Sequence, residues 1–451
     1  MNALFNLAQT AKITNGELCA PPETEFYSVS IDSREEQSKK LFCAIRGGHD
    51  YIQEAVNKGA VAVLSEKPVK VAHILVKNTT KALANLAKAK RALCSGKVIG
   101  ITGSVGKTSV KDMCAAVFFS AFLVGATKGN FNNQIGLPLS ILQEGFPEIY
   151  ALEMGMSHAG EISELSAIAR PNICIITNIG EAHIENFPNG KLGILNSKLE
   201  IFDGAENATA IINANDSLLR SADYSKIAKR VVFCGSKKNI SKTKNEFFAF
   251  SKKILKKNEG FSFLLNWKLP NRSGESEFSV NGAGEHAAEN ATLAIVAGLL
   301  CGMSSESISR GLDKYKIAQG RGKVIKTSYI TIIDDSYNAS PDSMRAALDV
   351  LAQENARRVA ILGDMLELGE RANDLHKEIG AYANVKVDFL LALGKNANDI
   401  ILEFKGSSSV YSSLEELIKD LPKVIKKGDA VLVKASRGMR FEKIIQELKK
   451  F

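Results

Sequence analysis

The chain has 451 residues, which is too many for a single hydrophobic core and predicts about three domains. Apolar residues make up 45% of it and charged residues 24%, as is ordinary for a soluble globular protein, and no apolar run approaches the roughly 20 residues of a membrane span. The net charge of +9 favours anionic partners, but no nucleic-acid-binding motif accompanies it, so we expect neither nucleic-acid binding nor membrane insertion.

The first segment, about residues 1–80, predicts a small α/β unit. A short amphipathic helix is predicted near 52–58, and the alanine-rich stretch 81–94 predicts a connecting helix. Strand-like runs lie around the first helix at 29–31, 41–45 and 61–64. The N-terminal string Met1 to Phe5 lacks the pattern of a signal peptide, so we expect a cytoplasmic protein. The seven cysteines contain no C-x-x-C pair and favour neither a disulfide framework nor a zinc site.

Residues 100–109 predict a phosphate-binding loop between an apolar strand and a helix. They read Gly-Ile-Thr-Gly-Ser-Val-Gly-Lys-Thr-Ser, in which the glycines let backbone N–H groups turn toward phosphate oxygens. The lysine supplies a charge for the β- and γ-phosphates and the threonine a hydroxyl for Mg²⁺; a chance glycine-rich turn is the alternative. We therefore predict ATP binding by Gly103, Ser104, Val105, Gly106, Lys107, Thr108 and Ser109.

Strands and helices alternate from about residue 95 to 314. This pattern is typical of a mostly parallel sheet with helices on both faces. The predicted strands are 97–102, 150–153, 173–177 and 208–213. Eight lysines between residues 237 and 257 crowd one polar stretch, for which a solvated hairpin or loop is the simplest interpretation.

Three polar residues follow these strands, on the side of the sheet where ligands bind. Glu153 ends a buried strand and can face a metal ion and phosphates, although a helix-capping acid has the same pattern. His183 follows the next strand at the same edge, where a lone histidine is more often structural. Lys198 lies 15 residues later in a helical pattern, where most lysines are solvated.

The last segment, about residues 315–451, predicts a small Rossmann-type domain. Its first strand, 330–334, leads through a polar turn into a helix that begins near Ser340-Pro341. Further strands are predicted at 358–362, 387–393 and 430–434, before a final helix at 440–450. No G-x-G-x-x-G is present, so dinucleotide binding is not expected. Arg321 lies between two glycines, where it can reach a triphosphate from outside the P-loop segment or serve only as a linker residue.

The longest of these strings resemble the Mur ligases of peptidoglycan synthesis, and within that family the type that adds D-alanyl-D-alanine. The resemblance covers nearly the whole chain. It is carried by Asp32-Ser33-Arg34, Gly48 to Tyr51, Thr102 to Thr108, Leu152 to Gly155, Ala182-His183, Lys198 to Phe202, Asp335 to Met344, Leu362 to Gly369 and Lys434 to Met439. The Asp-Asn-Pro-Arg string of the diaminopimelate- or lysine-adding type is absent.

The resemblance implies an α/β fold of three domains. Residues 1–80 would form a small UDP-sugar-binding domain, and residues 81–314 a central ATP-binding domain of the P-loop ATPase type with a mostly parallel sheet. Residues 315–451 would form a Rossmann-like domain.

The activity that the resemblance implies is an ADP-forming amide synthesis. The carboxylate of a UDP-N-acetylmuramoyl-tripeptide would attack the γ-phosphate of ATP to form an acyl phosphate. The amine of D-alanyl-D-alanine would then displace phosphate and give the UDP-linked pentapeptide. The implied enzyme is a cytoplasmic monomer that uses ATP, two Mg²⁺ ions and a carbamylated Lys198.

The resemblance also assigns roles to single residues. Catalytic roles fall to Lys107, Glu153, His183, Lys198 and Arg321. Thr108 and Glu153 would hold one Mg²⁺, and His183 with carbamylated Lys198 a second. The rest of the nucleotide site would comprise His286, Asn290, Arg321, Asp335 and Asn338, and the UDP-sugar would lie near Ser33, Arg34, His49 and Asp50.

Several positions depart from the family's pattern, and other functions remain open. The segment between Ile45 and Gly48 is shorter than usual, Asn215 replaces an acid, and Ala287 and Ala435 replace an asparagine and a glycine. The alternatives are another Mur-type amide ligase, including a folylpolyglutamate synthase-like enzyme, and a P-loop regulator or nucleic-acid binder. The third residue of the acceptor peptide, diaminopimelate or lysine, is left undecided.

Overall fold

The computed structural model describes residues 3–257 and 260–451, so Met1 and Asn2 of the N-terminal string lie outside it. In this part of the chain, three larger β-sheets follow one another in sequence. Helices pack against each of them, which confirms the α/β class predicted from the sequence. The domain boundaries near residues 80 and 314 stay predictions.

The N-terminal part of the chain forms a sheet of five strands, with a separate two-stranded ribbon. Its elements are β1 (Phe5–Asn6), α1 (Leu7–Thr14), β2 (Glu17–Cys19), β3 (Glu25–Phe26), β4 (Ser28–Ser30), β5 (Lys40–Cys43), α2 (Ile52–Asn57), β6 (Ala62–Ser65), β7 (His73–Leu75) and α3 (Thr79–Leu93). The strand order is β2-β7-β6-β5-β4, with only β2 antiparallel to its neighbour. Asn78 caps α3, because its side chain accepts a 2.8 Å hydrogen bond from the Lys81 amide.

The middle of the chain forms the largest sheet. Its elements are β8 (Lys97–Thr102), α4 (Lys107–Phe118), β9 (Val124–Ala126), α5 (Gly136–Gln143), β10 (Ile149–Glu153), α6 (Glu161–Ala169), β11 (Ile173–Ile176), α7 (Gly190–Leu199), β12 (Thr209–Asn213), α8 (Ser217–Ser221), β13 (Arg230–Gly235), α9 (Lys237–Ile240), β14 (Phe248–Lys257), β15 (Gly260–Leu269), β16 (Arg272–Asn281), α10 (His286–Leu300) and α11 (Ser305–Leu312). The order is β16-β15-β14-β13-β12-β11-β8-β10-β9, and the strands run parallel except for β15, which is antiparallel to both of its neighbours.

The P-loop strand β8 lies inside this sheet between β11 and β10. Its side chains from Val98 to Thr102 are buried, as expected for a parallel strand covered on both faces. Because all three strands run in the same direction, their carboxyl ends meet at one edge. Lys107 at the start of α4, Glu153 at the end of β10 and His183 in the loop after β11 therefore all lie at this edge.

At the other side of the sheet, the lysine-rich stretch was predicted as a solvated hairpin or loop, whereas β15 and β16 were not predicted. Lysines occupy both faces of the exposed end of β14, and a register shift between Lys252 and Leu255 breaks its alternation. The lysine-rich stretch thus forms α9, a loop and β14, and β14 is one arm of an antiparallel hairpin.

The C-terminal part forms a six-stranded sheet. Its elements are β17 (Lys323–Lys326), β18 (Thr331–Asp334), α12 (Pro341–Leu351), β19 (Arg358–Gly363), α13 (Ala372–Ala383), β20 (Phe389–Leu393), α14 (Ala397–Leu402), β21 (Ser407–Tyr411), α15 (Leu414–Val424), β22 (Ala430–Lys434) and α16 (Glu442–Leu448). The order is β17-β18-β22-β19-β20-β21, with only β17 antiparallel. The sequence did not predict β17 or β21, which are exposed edge strands rich in lysine and serine.

Candidate active site at the carboxyl edge of the central sheet

Two glycines of the P-loop lie so close to neighbouring residues that a larger side chain would not fit. A Cβ at Gly103, where φ is +148°, would lie 1.8 Å from Thr177 Oγ1, and one at Gly106, where φ is +85°, would lie 3.0 Å from Asn290 Oδ1. The Val105 amide donates a 2.9 Å hydrogen bond to the side chain of Asn178. The backbone of this loop is therefore fixed by residues that follow β11 and begin α10.

Lys107 begins α4 and lies folded against its own loop. Its Nζ donates hydrogen bonds to the carbonyls of Gly103 at 2.8 Å and Ser104 at 3.2 Å. Burial lowers the pKa of Lys107, the nearby charge of Glu153 opposes that shift, and Arg321 lowers the pKa further. The P-loop lysine, the acid from β10 and the arginine from the C-terminal segment thus share one electrostatic environment.

Glu153 has one paired and one unpaired carboxylate oxygen. The side chain is buried, and its Oε1 accepts a 2.7 Å hydrogen bond from Asn132 Nδ2. Its Oε2 is buried without a hydrogen-bond partner among the described residues. A buried, unpaired carboxylate oxygen is costly unless a cation or donor meets it, so the Glu153 side chain fits a cation such as Mg²⁺. The role of Thr108 as a second ligand of that ion stays a prediction.

His183 and Lys198 contribute a second group of possible ligands. His183 follows β11 in a left-handed conformation, with φ of +62°, and burial lowers the pKa of its imidazole. Lys198 is buried near the end of α7, and burial together with the charge of Lys107 lowers the pKa of its amine well below the usual value. A neutral imidazole is the form that binds a metal ion, and a neutral amine is the form that reacts with CO₂. The described residues contain no group of three or more His, Cys, Asp or Glu side chains that could hold a metal, and the carbamate on Lys198 stays a prediction.

The predicted adenine and ribose contacts lie where α10 faces the C-terminal segment. His286 begins α10; burial lowers its pKa, Asp335 opposes the shift, and Lys434 adds to it. Lys434 forms an ion pair with Asp335 and donates a 2.9 Å hydrogen bond to the carbonyl of Asn338. The structure therefore brings His286 close to Asp335, and Lys434 pairs with Asp335 beside it.

Arg321 enters the same region from the C-terminal segment. Its guanidinium lies 4.0 Å from the centre of the Tyr337 ring, and Arg437 approaches that ring at 5.3 Å. Stacking against an aromatic face restricts a long side chain without consuming its hydrogen-bond donors. Arg321 is thus available to an anion near the P-loop.

A cavity of about 820 Å³ separates the N-terminal sheet from the loop after β9. Among the residues lining it are Ser33, Arg34, Lys40, Lys128 and Phe131. The Ser33 hydroxyl donates a 2.7 Å hydrogen bond to Glu54, and Arg34 pairs with Asp32, whose pKa it holds at about 2. The cavity combines apolar walls with charged ones, in which Asp32 and Glu35 stand beside the cations. Such a mixed lining fits a polar, nucleotide-linked substrate.

His49 and Asp50 are not brought to this cavity. Neither is among the described residues that line it, although Gly48 and Tyr51 on either side are. His49 Nε2 instead accepts a 3.1 Å hydrogen bond from the Glu66 amide. The substrate-binding role of His49 and Asp50 stays a prediction.

Sequence reasoning missed three residues that support the site. Asn132 lies in the asparagine-rich loop after β9 and contacts Glu153, and Asn178 after β11 fixes the P-loop. Arg371 donates a 3.1 Å hydrogen bond to Glu181, beside His183. The asparagines follow parallel strands of the site-bearing edge, a signal that the sequence did contain; Arg371 reaches the site only through packing of the C-terminal segment.

Comparison with known proteins gives the same assignment along nearly the whole chain. Family models match the Mur ligase family catalytic domain at residues 25–91, the Mur ligase middle domain at 101–298 and the Mur ligase glutamate ligase domain at 320–437. The UDP-N-acetylmuramoyl-tripeptide–D-alanyl-D-alanine ligase of Bacillus subtilis is 36% identical over 459 residues, covering 97% of each chain.

Solved structures show a similar fold. A crystal structure of MurF from Acinetobacter baumannii superimposes with a TM-score of 0.87 at 30% identity over 99% of both chains. The MurF ligase from Thermotoga maritima, solved in complex with ADP, has a TM-score of 0.80 at 30% identity, covering 94% of this chain and 97% of that one. No helix in the described residues is long and apolar enough to cross a membrane.

Proposed function

The chain belongs to the Mur ligase family, and we propose that it joins D-alanyl-D-alanine to a UDP-N-acetylmuramoyl-tripeptide in an ATP-dependent, ADP-forming reaction. The observation that carries the ligase chemistry is the group of charged side chains around Lys107. The charges of Glu153 and Arg321 act on the pKa of Lys107, and the charge of Lys107 lowers the pKa of His183 and of Lys198. The choice of substrates rests on the full-length similarity to a ligase of that name.

The first step that we propose is phosphorylation of the tripeptide carboxylate. Its oxygen attacks the γ-phosphorus, the bond to the β,γ-bridging oxygen breaks, and ADP leaves. Two anions must approach each other, so the charges of Lys107 and Arg321 lower the barrier by stabilising the transferring phosphoryl group. Lys107 would exchange its hydrogen bonds to loop carbonyls for bonds to phosphate oxygens.

In the second step the dipeptide amine attacks the acyl phosphate carbon. The tetrahedral intermediate collapses with loss of inorganic phosphate, and the amine proton passes to a base. Activation is needed because a free carboxylate is a poor acyl donor. The cavity lined by Ser33 and Arg34 would hold the nucleotide end of the substrate, leaving its peptide to reach the P-loop edge.

Mg²⁺ fits the residues at this edge. Thr108 and Glu153 would hold one ion, and His183 with a carbamylated Lys198 a second. When bound, the ions would neutralise charge on the phosphate oxygens. The carbamate would form as the neutral Lys198 amine attacks CO₂ and loses one proton, which gives a buried anionic ligand opposite the positive charge of Lys107. We propose further that the enzyme is a monomer that acts in the cytoplasm.

The test is a phosphate-release assay with ATP and each UDP-muramoyl peptide, with and without D-alanyl-D-alanine. We expect phosphate release and a pentapeptide product only when the tripeptide and dipeptide are both present. Ligation of diaminopimelate, lysine or glutamate instead would move the chain to another type within the family. Polynucleotide-stimulated ATP hydrolysis without ligation would favour the regulator alternative.

A further inference from the structure

The loop that carries His183 is held by the C-terminal segment at two points. Glu181 Oε1 accepts a 3.1 Å hydrogen bond from Arg371 Nη1, although the Glu181 side chain is only 8% exposed. Two residues later, His183 Nδ1 lies in close contact with the carboxylate of Glu367. Each contact joins the loop after β11 to the loop after β19.

Two further contacts join the loop after β11 to the C-terminal segment. The Glu181 amide donates a 3.3 Å hydrogen bond to Asp342 Oδ2, at the start of α12. Gly369 has a φ of +59°, and a Cβ there would lie 2.9 Å from the Cβ of Glu185. The C-terminal segment thus contacts both the main chain and the side chain of Glu181.

The charges around Glu181 give Arg371 a specific role. The other cation near this carboxylate in the described residues is Lys191 of α7, at 3.7 Å. A nearly buried carboxylate requires paired charge or donors, and Arg371 supplies the only side-chain hydrogen bond that it accepts in the described chain. Loss of Arg371 would leave Glu181 with a longer contact to Lys191 alone.

The conformation of His183 shows why the contact matters. A non-glycine residue keeps a φ of +62° only when its surroundings hold it there. Across His183, the Ile184 amide donates a 3.3 Å hydrogen bond to the carbonyl of Glu181, and Glu367 contacts the imidazole ring itself. With Nδ1 against a carboxylate, Nε2 is the ring nitrogen left for a ligand.

We infer that Arg371 is a positioning residue, which holds Glu181 and thereby sets His183 in its working orientation when the C-terminal segment docks. The inference deepens the proposed function, because it assumes that His183 serves the ligase site. It also gives the C-terminal segment a part in assembling that site beyond the residues that it contributes directly.

The experiment compares Arg371→Ala and Arg371→Lys with Arg358→Ala as the matched control. Arg358 pairs with Asp388 at 2.7 Å, at the amino edge of the same C-terminal sheet, so its loss removes a similar ion pair away from the interface. We expect Arg371→Ala to lower kcat at least tenfold with less than a threefold change in KM for ATP, and Arg371→Lys to recover part of the loss. Equal losses in Arg371→Ala and Arg358→Ala, or an unchanged kcat, would overturn the inference.

A second measurement does not depend on ligase activity. The binding of Mn²⁺ to the ADP complex can be measured by electron paramagnetic resonance. We expect the affinity for Mn²⁺ to fall about tenfold in Arg371→Ala, the usual effect of removing a residue that orients a metal ligand. The double variant Glu181→Gln/Arg371→Ala should bind Mn²⁺ no more weakly than Arg371→Ala alone, because the two side chains act as a pair. Unchanged Mn²⁺ binding in Arg371→Ala would refute the inference. Absence of ligase activity in the wild-type protein would refute the proposed function, but the Mn²⁺ comparison would still test the inference. If Arg371→Ala fails to fold, Glu181→Gln provides the same comparison.

Discussion

Asn132 Nδ2 donates a 2.7 Å hydrogen bond to one oxygen of Glu153, and the other oxygen of that buried carboxylate remains unpaired. Asn132 is itself fixed, since its carbonyl accepts a 2.8 Å hydrogen bond from Gly155 and a Cβ at Gly155 would lie 2.8 Å from Asn132 Cγ. The carboxylate therefore has a set orientation and one oxygen free for a ligand. This arrangement prepares Glu153 to bind a cation without rearrangement.

The first prediction concerns this pair. Asn132→Ala should raise the Mg²⁺ concentration for half-maximal activity by about 10–100-fold, the usual effect of removing a partner of a metal ligand. Glu153→Gln keeps the shape of the side chain but removes its charge, and should have a larger effect. Titration of activity with Mg²⁺ at fixed ATP measures both. A normal Mg²⁺ requirement in Glu153→Gln would show that this carboxylate is not a ligand.

The second prediction is that Lys107→Ala loses ligase activity while keeping its fold. The lysine charge is needed on the β- and γ-phosphates as they separate, and loss of such a transition-state contact costs about 10²–10³ in rate. Lys97→Ala, which removes an exposed lysine at the other end of β8, serves as the control. Near-normal turnover and ATP affinity in Lys107→Ala would contradict the assignment.

The third prediction follows from the chemistry of Lys198. Burial and the Lys107 charge lower the pKa of its amine well below the usual value, so acidification through that pKa would charge it and prevent its attack on CO₂. We therefore expect ligase activity to fall as the pH is lowered through this pKa. We also expect Lys198→Ala to be inactive but partly rescued by short carboxylates. Full activity in CO₂-free enzyme, with no added mass on the lysine, would exclude the carbamate.

The same lysine affects stability in a defined direction. In CO₂-free protein, where Lys198 is an unmodified amine, its folded pKa lies below its unfolded pKa, so the unfolded chain binds more protons between the two values and stability rises with pH across that range. Lys198→Met should remove this dependence and raise the free energy of unfolding at lower pH. Chemical denaturation at several pH values measures the slope for both proteins.

The parts of the site that the sequence predicted are those that local strings determine. The glycines, lysine and threonine of the P-loop need one strand–loop–helix unit, and the parallel order of β8, β10 and β11 then places Glu153 and His183 at the same edge. Lys198 needed the family resemblance, because its burial depends on how α7 packs.

What the sequence could not predict depends on contacts between distant loops. The hydrogen bond between Arg371 and Glu181 spans 190 residues, and no periodicity encodes it. His49 lies in a string that matches the family, yet its ring is committed to the Glu66 amide while its neighbours line the cavity. The shortened segment before Gly48 is the part of the first domain where the sequence already departs from the family pattern.

The fourth prediction concerns closure. Arg321 and Asp335 belong to the C-terminal segment, which in this structure already meets the middle segment through the hydrogen bond from Arg371 to Glu181. We expect the ligand-free protein to open in solution about a hinge near residues 312–322, which would separate these residues from the P-loop. ATP and the UDP-tripeptide together should lower the radius of gyration of the free protein. Small-angle scattering measures it, and an unchanged profile at saturating ligand would contradict a large closure.

The last prediction concerns the order of the chemical steps. If the acyl phosphate forms before the amine attacks, ATP and the UDP-tripeptide alone should give an intermediate that borohydride reduces to the alcohol. Positional isotope exchange should also appear in ATP, because the β,γ-bridging oxygen becomes a terminal oxygen of bound ADP in the forward step and exchanges places with the other β-phosphate oxygens before the step reverses. D-alanine should replace the dipeptide poorly, since the second residue and its carboxylate supply binding energy that positions the amine. Isotope exchange that requires the dipeptide would instead show that the amine must bind before the phosphoryl group is transferred.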